Sequence, residues 1–408
     1  MPLCNKRSLL LGALASLAAP SWALDTLGEK AGYPTGWGPA GALQKWEGYP
    51  AYHVGNFSGG LETMFAHQVI QASATPSDLI SAPRKIKANF FMDAADYVNK
   101  FNRTGLLIAR GSEIWHEQYR FNRTAEMRFF GWSMTKSVVG MLVGIALNEG
   151  KLSSVDDPIE KYVSQLQGHA FAGITLRNLL NMTSGIDICE AFCNPSTGFE
   201  RYGYSQIGYS PRRGEGTDQR RGILRFKWGL SDAPGARFNY TDLCPVLVAW
   251  ALESVNQQPL ALIAQEKLWQ PMGAQAQATW LTDSMGFTFS GAGFSATLRD
   301  WARLGLLVAR HGVAQGRQIV PTAWLNATSH HEPQEAAVKY NVARPQRGYK
   351  NFFWHQSADG QMLRMAGNHA QNILMDPKTG TILVQTAAGY ENGAEEMMFA
   401  LFKSACEM

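Results

Sequence analysis

Residues 131–146, Gly-Trp-Ser-Met-Thr-Lys-Ser-Val-Val-Gly-Met-Leu-Val-Gly-Ile-Ala, decide the fold, because Ser133 and Lys136 stand three apart at the mouth of the most apolar helix in the chain. A spacing of three puts both side chains on one helical face. Val138, Val139, Met141, Leu142, Ile145 and Leu147 supply the buried stripe, Gly140 and Gly144 allow close packing, and Gly150 gives a stop. A serine there meets unpaired backbone N–H groups and a helix dipole that favours developing negative charge. The same field disfavours an ammonium. A buried Lys136 is therefore expected to have a lowered pKa and to act as base toward Ser133. The alternative is a capped helix with a solvated lysine; this Ser-x-x-Lys is the only one in the chain.

Length and composition bound the rest. With 408 residues, 45% hydrophobic and 17% charged, the chain is ordinary for a globular protein of one large or two small domains. A net charge of +4 from scattered basic residues argues against a nucleic-acid partner. Residues 1–23 read as a secretory signal: Lys6 and Arg7, the apolar run Leu9 to Ala19, then Ser21-Trp22-Ala23 with small residues at the cleavage positions. That run is too short to span a bilayer, so the expectation is a periplasmic or secreted protein without a membrane span. Cys189, Cys193, Cys244 and Cys406 would remain, and Cys189 with Cys193 closes the shortest disulfide loop. No paired Cys-x-x-Cys or spaced histidines accompany them, and His330-His331-Glu332 reads as a solvated loop. Neither metal nor cofactor is expected.

Along the chain, residues 24–85 suggest an extended arm and residues 86–408 the catalytic domain, with a helical subdomain at about 155–275. Residues 89–101 read as helix, and Gly105–Arg110 with Glu113–Arg120 as a hairpin around Gly111-Ser112. Asp157-Pro158 looks like the start of another helix, and Thr175 and Thr297 look like caps. Residues 186–230 are loop-like, as functional lids often are. Asn351–His355, Met362–Met375 and Gly380–Ala387 read as strands before a last helix from about Glu395. Strands at both ends around a helical middle imply an α+β fold whose antiparallel sheet is assembled from both ends of the chain.

Several segments then match a known order. Ser133-Met134-Thr135-Lys136, Asn178 to Gly185, Tyr240-Thr241-Asp242, Gly293 to Asp300 and the strand Ala366 to Gln371 follow as they do in serine β-lactamase-like proteins. Over roughly residues 90 to 400 the chain resembles the class C β-lactamase fold, most of all the aminohexanoate-oligomer hydrolases and related esterases. The resemblance implies Ser133 as acylated nucleophile, Lys136 as its base, and Tyr240 as proton shuttle with a pKa pulled down by the lysine. It implies an oxyanion hole from the backbone N–H of Ser133 and of a residue between Asn368 and Gln371. His369 could touch substrate or Tyr240, and Trp132 and Trp354 are candidate pocket walls beside Asn368 and Ala370. Where β-lactamases of this fold carry Tyr-x-Asn, the chain has Asp242, which serves either the site or the N-cap of the next helix. Lys378-Thr379-Gly380 copies the Lys-Thr-Gly motif but sits in a turn signal after Asp376-Pro377, so Asn368-His369-Ala370 is taken as its equivalent.

The implied activity is hydrolysis of a small-molecule amide or ester through an acyl-enzyme. β-Lactamase or D-amino-acid peptidase activity is the alternative, and a non-catalytic cell-wall binding protein on the same fold is a second. Asn239-Tyr240-Thr241 is formally a glycosylation acceptor, yet a glycan there would block the site, which favours a bacterial periplasm.

Overall fold

The computed structural model describes residues 66–101, 103–121, 123–188, 218–330, 339–340, 348–357, 359–387 and 389–408. Its largest sheet has eight strands in the spatial order Tyr349–Lys350, Phe353–His355, Leu363–Gly367, Gln371–Asp376, Thr381–Ala387, Arg103–Arg110, Glu113–Tyr119 and Ile80–Ser81. The centre joins the two ends of the chain: Val384 lies opposite Leu107 and Ile382 opposite Ala109 in an antiparallel register. All its pairings are antiparallel except that of Ile80–Ser81 with Glu113–Tyr119. The fold is α+β, as the strand-rich termini imply.

Alternation of period two divides each central strand between two cores. Leu107, Ala109, Ile373, Met375, Ile382 and Val384 join the large core with the helices Met134–Asn148, Leu243–Asn256 and Leu298–Ala309. Leu106, Ile108, Leu374 and Leu383 point the other way, onto Tyr97 and Val98 of the helix Ala94–Lys100 and Met398, Leu401 and Phe402 of Ala394–Glu407. Burial on both faces explains why these strands read as continuous apolar runs.

A second sheet of four strands, His67–Ile70, Ala278–Leu281, Phe294–Thr297 and Arg128–Phe130, delivers the chain to Ser133. The described part of the N-terminal arm therefore supplies an edge strand to each sheet. Met134–Asn148 is buried on every side from Met134 to Ala146, as expected of a helix apolar all round. Its glycines are contact points: a Cβ on Gly140 would stand 2.3 Å from Asn351 O, and one on Gly144 2.4 Å from the Trp324 ring.

Three local expectations change. The helix expected from residue 89 begins at Ala94, because Asp93 and Asp96 form a capping box there and the preceding residues make a short hairpin. Asp157 caps no helix; its carboxylate is taken by Tyr162 and Lys161, and only two short 3₁₀ turns, Ile159–Lys161 and Ser164–Leu166, follow. The run Met362–Met375 is two strands, reversed at Asn368–Ala370, where His369 (φ 56°) and Ala370 (φ 68°) are both left-handed. By contrast, Thr175 caps Leu176–Leu180 in a capping box and Thr297 caps Leu298–Ala309. Cys189 and Cys193 and most of the lid-like loop lie outside the described residues; Cys244 is buried in the large core and Cys406 is half-buried.

Candidate active site

The strand Arg128–Phe130 ends against Phe294–Thr297, and Gly131 N–H donates to Phe294 O (2.9 Å). The chain then turns through Trp132 at φ 49°, a conformation that residues with a Cβ resist. Such strain persists only where the surroundings fix it. Here Phe294 N–H binds Thr135 Oγ1 (3.1 Å), and Trp301 lies so close that a Cβ on Gly131 would stand 2.4 Å from its ring. Ser133 follows in the N-cap position of Met134–Asn148, yet its hydroxyl makes no capping bond. Instead it accepts from Lys136 Nζ at 2.9 Å.

Lys136 has 1% of its surface exposed and donates also to Gly291 O (2.8 Å) and to the carboxylate of Asp242. Its Nζ stands 4.8 Å from the centroid of the Tyr240 ring. Burial by itself disfavours the ammonium, but the Asp242 carboxylate and the Tyr240 phenol outweigh it and hold Lys136 above the ordinary lysine value. The expected lowering of Lys136 does not occur. The helix field is offset by the negative side chain of Asp242.

Asp242 occupies the N-cap position of Leu243–Asn256 but makes no side-chain cap. The reason is local. The third helical residue is Pro245, which lacks one of the two N–H groups that an N-cap side chain ordinarily accepts from. The carboxylate is thereby left for Lys136. A Cβ on Gly291 would stand 2.7 Å from it, so glycine is needed where that carbonyl meets the lysine.

Tyr240 packs its ring on Trp354 (5.5 Å between centroids, 20° between planes) and edge-on to Tyr349, with Phe238 beneath. Its hydroxyl interacts with Ser133 and Lys136. Desolvation raises its pKa more than the lysine lowers it, so Tyr240 is a neutral phenol and not the acidified one expected. Trp354 is half-buried and is a wall of this site.

The hairpin tip Asn368–Ala370 closes the other side. Gly367 abuts the nucleophile turn: a Cβ there would stand 2.2 Å from Gly131 O and 3.1 Å from Trp132 Cβ. The His369 ring lies between Trp132 (5.4 Å) and Tyr390 (6.3 Å). Trp132 itself is 7% exposed, so it supports His369 more than it lines an open wall. Within the tip, His369 N–H is taken by Asn368 Oδ1 (3.0 Å) and Gln371 faces Gly367 across the ladder. Lys378 lies at the far end of the strand Gln371–Asp376, roughly 20 Å from the tip at about 3.4 Å per residue. It is a turn residue, with its N–H on Asp376 Oδ1 (3.0 Å).

The profile of the beta-lactamase family matches residues 101–399, most of the chain and all of this constellation. The chain belongs to the beta-lactamase family. A 6-aminohexanoate-dimer hydrolase of Paenarthrobacter ureafaciens is 27% identical to it over 284 residues, 69% of this chain and 71% of the relative. A solved Bacillus anthracis structure, provisionally named a 6-aminohexanoate-dimer hydrolase, superposes with a TM-score of 0.75 at 17% identity, covering 89% of this chain and 95% of its own. EstCE1, a hydrolase with promiscuous acyltransferase activity, gives 0.59 at 15% identity over 76% and 96%. At these identities the solved structures speak to the fold alone. Within this beta-lactamase-family site, sequence reasoning missed Gly291, Tyr349 and Tyr390. Gly291 lies just before the matched segment Gly293–Asp300, and an extension by two residues would have reached it; nothing in the sequence marks the other two.

Proposed function

We propose that this serine hydrolase of the beta-lactamase family cleaves linear amides or small esters through an acyl-enzyme on Ser133, as a 6-aminohexanoate-dimer-hydrolase-like enzyme. The observation that carries this is the contact of Lys136 Nζ with Ser133 Oγ (2.9 Å) and with the Asp242 carboxylate, beneath the Tyr240 ring. With Lys136 held as an ammonium, the lysine is not the resting base. A neutral Tyr240 can relay: it hands its own proton to the leaving nitrogen or oxygen, and the phenolate oxygen so formed takes the Ser133 proton as Ser133 Oγ bonds to the carbonyl carbon and the bond to the leaving group breaks. The nearby ammonium stabilises negative charge on the phenol oxygen during transfer. Deacylation runs the same shuttle with water in place of the leaving group.

The oxyanion forming on the substrate carbonyl would be met by Ser133 N–H and by Asn368 N–H, the first N–H after the glycine that packs on Gly131. No lysine stands at that tip among the described residues, which disfavours substrates read through a carboxylate. Linear amides, small esters, D-amino-acid peptides and β-lactams follow in falling order. The test is a panel of these four classes on the purified protein, with fluorophosphonate labelling of Ser133; turnover of β-lactams alone would overturn the ranking. We also propose export to the periplasm, on the strength of residues 1–23, which lie outside the described residues.

A further inference from the structure

The hairpin tip beside Ser133 is held from behind by buried amide side chains. Gln371, fully buried, donates through Nε2 to His369 O (3.0 Å) and Ala387 O (2.7 Å), with Asn368 O at 3.3 Å, and its Oε1 accepts Ala387 N–H (3.1 Å). Asn372 Nδ2 (3.0 Å) and Gln385 Nε2 (2.8 Å) both donate to Ala370 O. These amides are themselves anchored. Asn372 Oδ1 accepts from Arg364 Nε (2.7 Å), and Gln385 Oε1 accepts from the hydroxyl of Tyr97 in the second core.

All three carbonyls of Asn368, His369 and Ala370 are thus bound by side chains, and with them the three planar peptides that leave these residues. The turn needs such fixing, because His369 and Ala370 are both left-handed without being glycine. The one remaining peptide, Gly367–Asn368, is seated by the contact of Gly367 with Gly131 and Trp132. Its N–H is the donor assigned above to the oxyanion.

We propose that Gln371 and Gln385 are positioning residues for the reaction at Ser133, holding the strained tip so that Asn368 N–H stays aimed at the developing oxyanion; this rests on the acyl-enzyme reading above. They touch no substrate. Their loss should weaken transition-state stabilisation and leave ground-state binding nearly intact.

Gln371→Met and Gln385→Met keep side-chain length and remove the amide. On an aryl ester each should lower kcat about 10- to 100-fold, somewhat less than outright removal of an oxyanion donor, with KM within about twofold. An arylboronic acid, which becomes tetrahedral on Ser133 and puts a hydroxyl in the oxyanion site, should weaken by the same factor. Ser133→Ala run alongside tests the underlying reading: turnover surviving there overturns the serine mechanism itself. With Ser133→Ala dead, wild-type kcat and boronate affinity in folded methionine variants overturn the positioning role alone. So does a rise in KM with unchanged kcat. If neither methionine variant folds, Tyr97→Phe decides, since it removes only the hydroxyl that anchors Gln385: a few-fold fall in kcat at constant KM supports the proposal, and an unchanged kcat overturns it.

Discussion

Lys136 Nζ bridges Ser133 Oγ, at 2.9 Å, and the carboxylate of Asp242. An asparagine would leave the lysine free to lose its proton into a buried site. A carboxylate holds it charged, which on the proposed mechanism leaves the proton-carrying work to Tyr240.

Asp242→Asn tests this through stability as well as rate. In the wild type the folded state binds the Lys136 proton more tightly than the unfolded chain does. This contribution is complete below the ordinary lysine pKa of about 10.4 and is lost as pH rises through the raised folded value. In the variant the carboxylate is gone and only Tyr240 still opposes burial, so the folded pKa falls and the stability lost on the alkaline side shrinks. Removing one partner of a buried pair costs about 3–5 kcal/mol at neutral pH. Melting temperatures from pH 6 to 11 read both effects. The alkaline limb of kcat/KM should move to lower pH in step; an unmoved limb would mean that the lysine charge does not support the shuttle.

Gly367→Ala probes the contact between the tip and the nucleophile turn. The new methyl would meet Gly131 O at 2.2 Å, and a backbone carbonyl cannot swing aside as a side chain can. Overpacking of this kind costs about 1–3 kcal/mol. Relief by moving either strand would part Ser133 from Asn368, so turnover should fall at least tenfold at temperatures where the variant is folded. Circular dichroism and kcat measured together check this, and a folded variant of full activity would remove Asn368 from the site.

Much of this was legible from the chain, and the failures share a cause. The buried strands, the glycines of the nucleophile helix and the caps Thr175 and Thr297 announce themselves through period and local chemistry. The reversal at Asn368–Ala370 does not, because an alanine does not signal a left-handed turn; the side-chain amides of Gln371 and Asn372 just after it and of Gln385 in the next strand hold it. The charge state of Lys136 was hidden for a similar reason. It depends on Asp242, 106 positions away, and on a proline that removes one of the N–H groups Asp242 could cap. Distant partners decide what local pattern leaves open.

Export makes a separate prediction. Expressed with its full N-terminus in a Gram-negative host, the protein should be recovered from the periplasmic fraction with a mature end near Leu24, because small residues flank the cleavage point at Ser21 and Ala23. N-terminal sequencing reads this directly. Recovery of a chain still beginning at Met1 would refute it.

Tyr240 and Lys378 together decide between the two strands that could carry the site's chemistry. Tyr240→Phe keeps the ring that packs on Trp354 and lies beneath Lys136, and removes only the proton carrier. General acid–base assistance is worth about 10²- to 10⁴-fold, so kcat should fall within that range. The fall should be larger for an amide than for its phenyl ester, because an amine must be protonated to leave and a phenolate need not be. Since the Tyr240 pKa is raised and the neutral phenol is the working form, the wild-type rate should hold on the alkaline side up to at least about pH 10, the ordinary tyrosine value. Lys378→Ala changes a turn residue at the opposite end of the strand Gln371–Asp376, and kcat and KM should both stay within about twofold, as for a surface change that touches no substrate. Amide and phenyl-ester rates in the two variants separate the possibilities. An inactive Lys378 variant beside an active Tyr240 variant would show that recognition runs through the Lys-Thr-Gly turn and that the proton moves by another route.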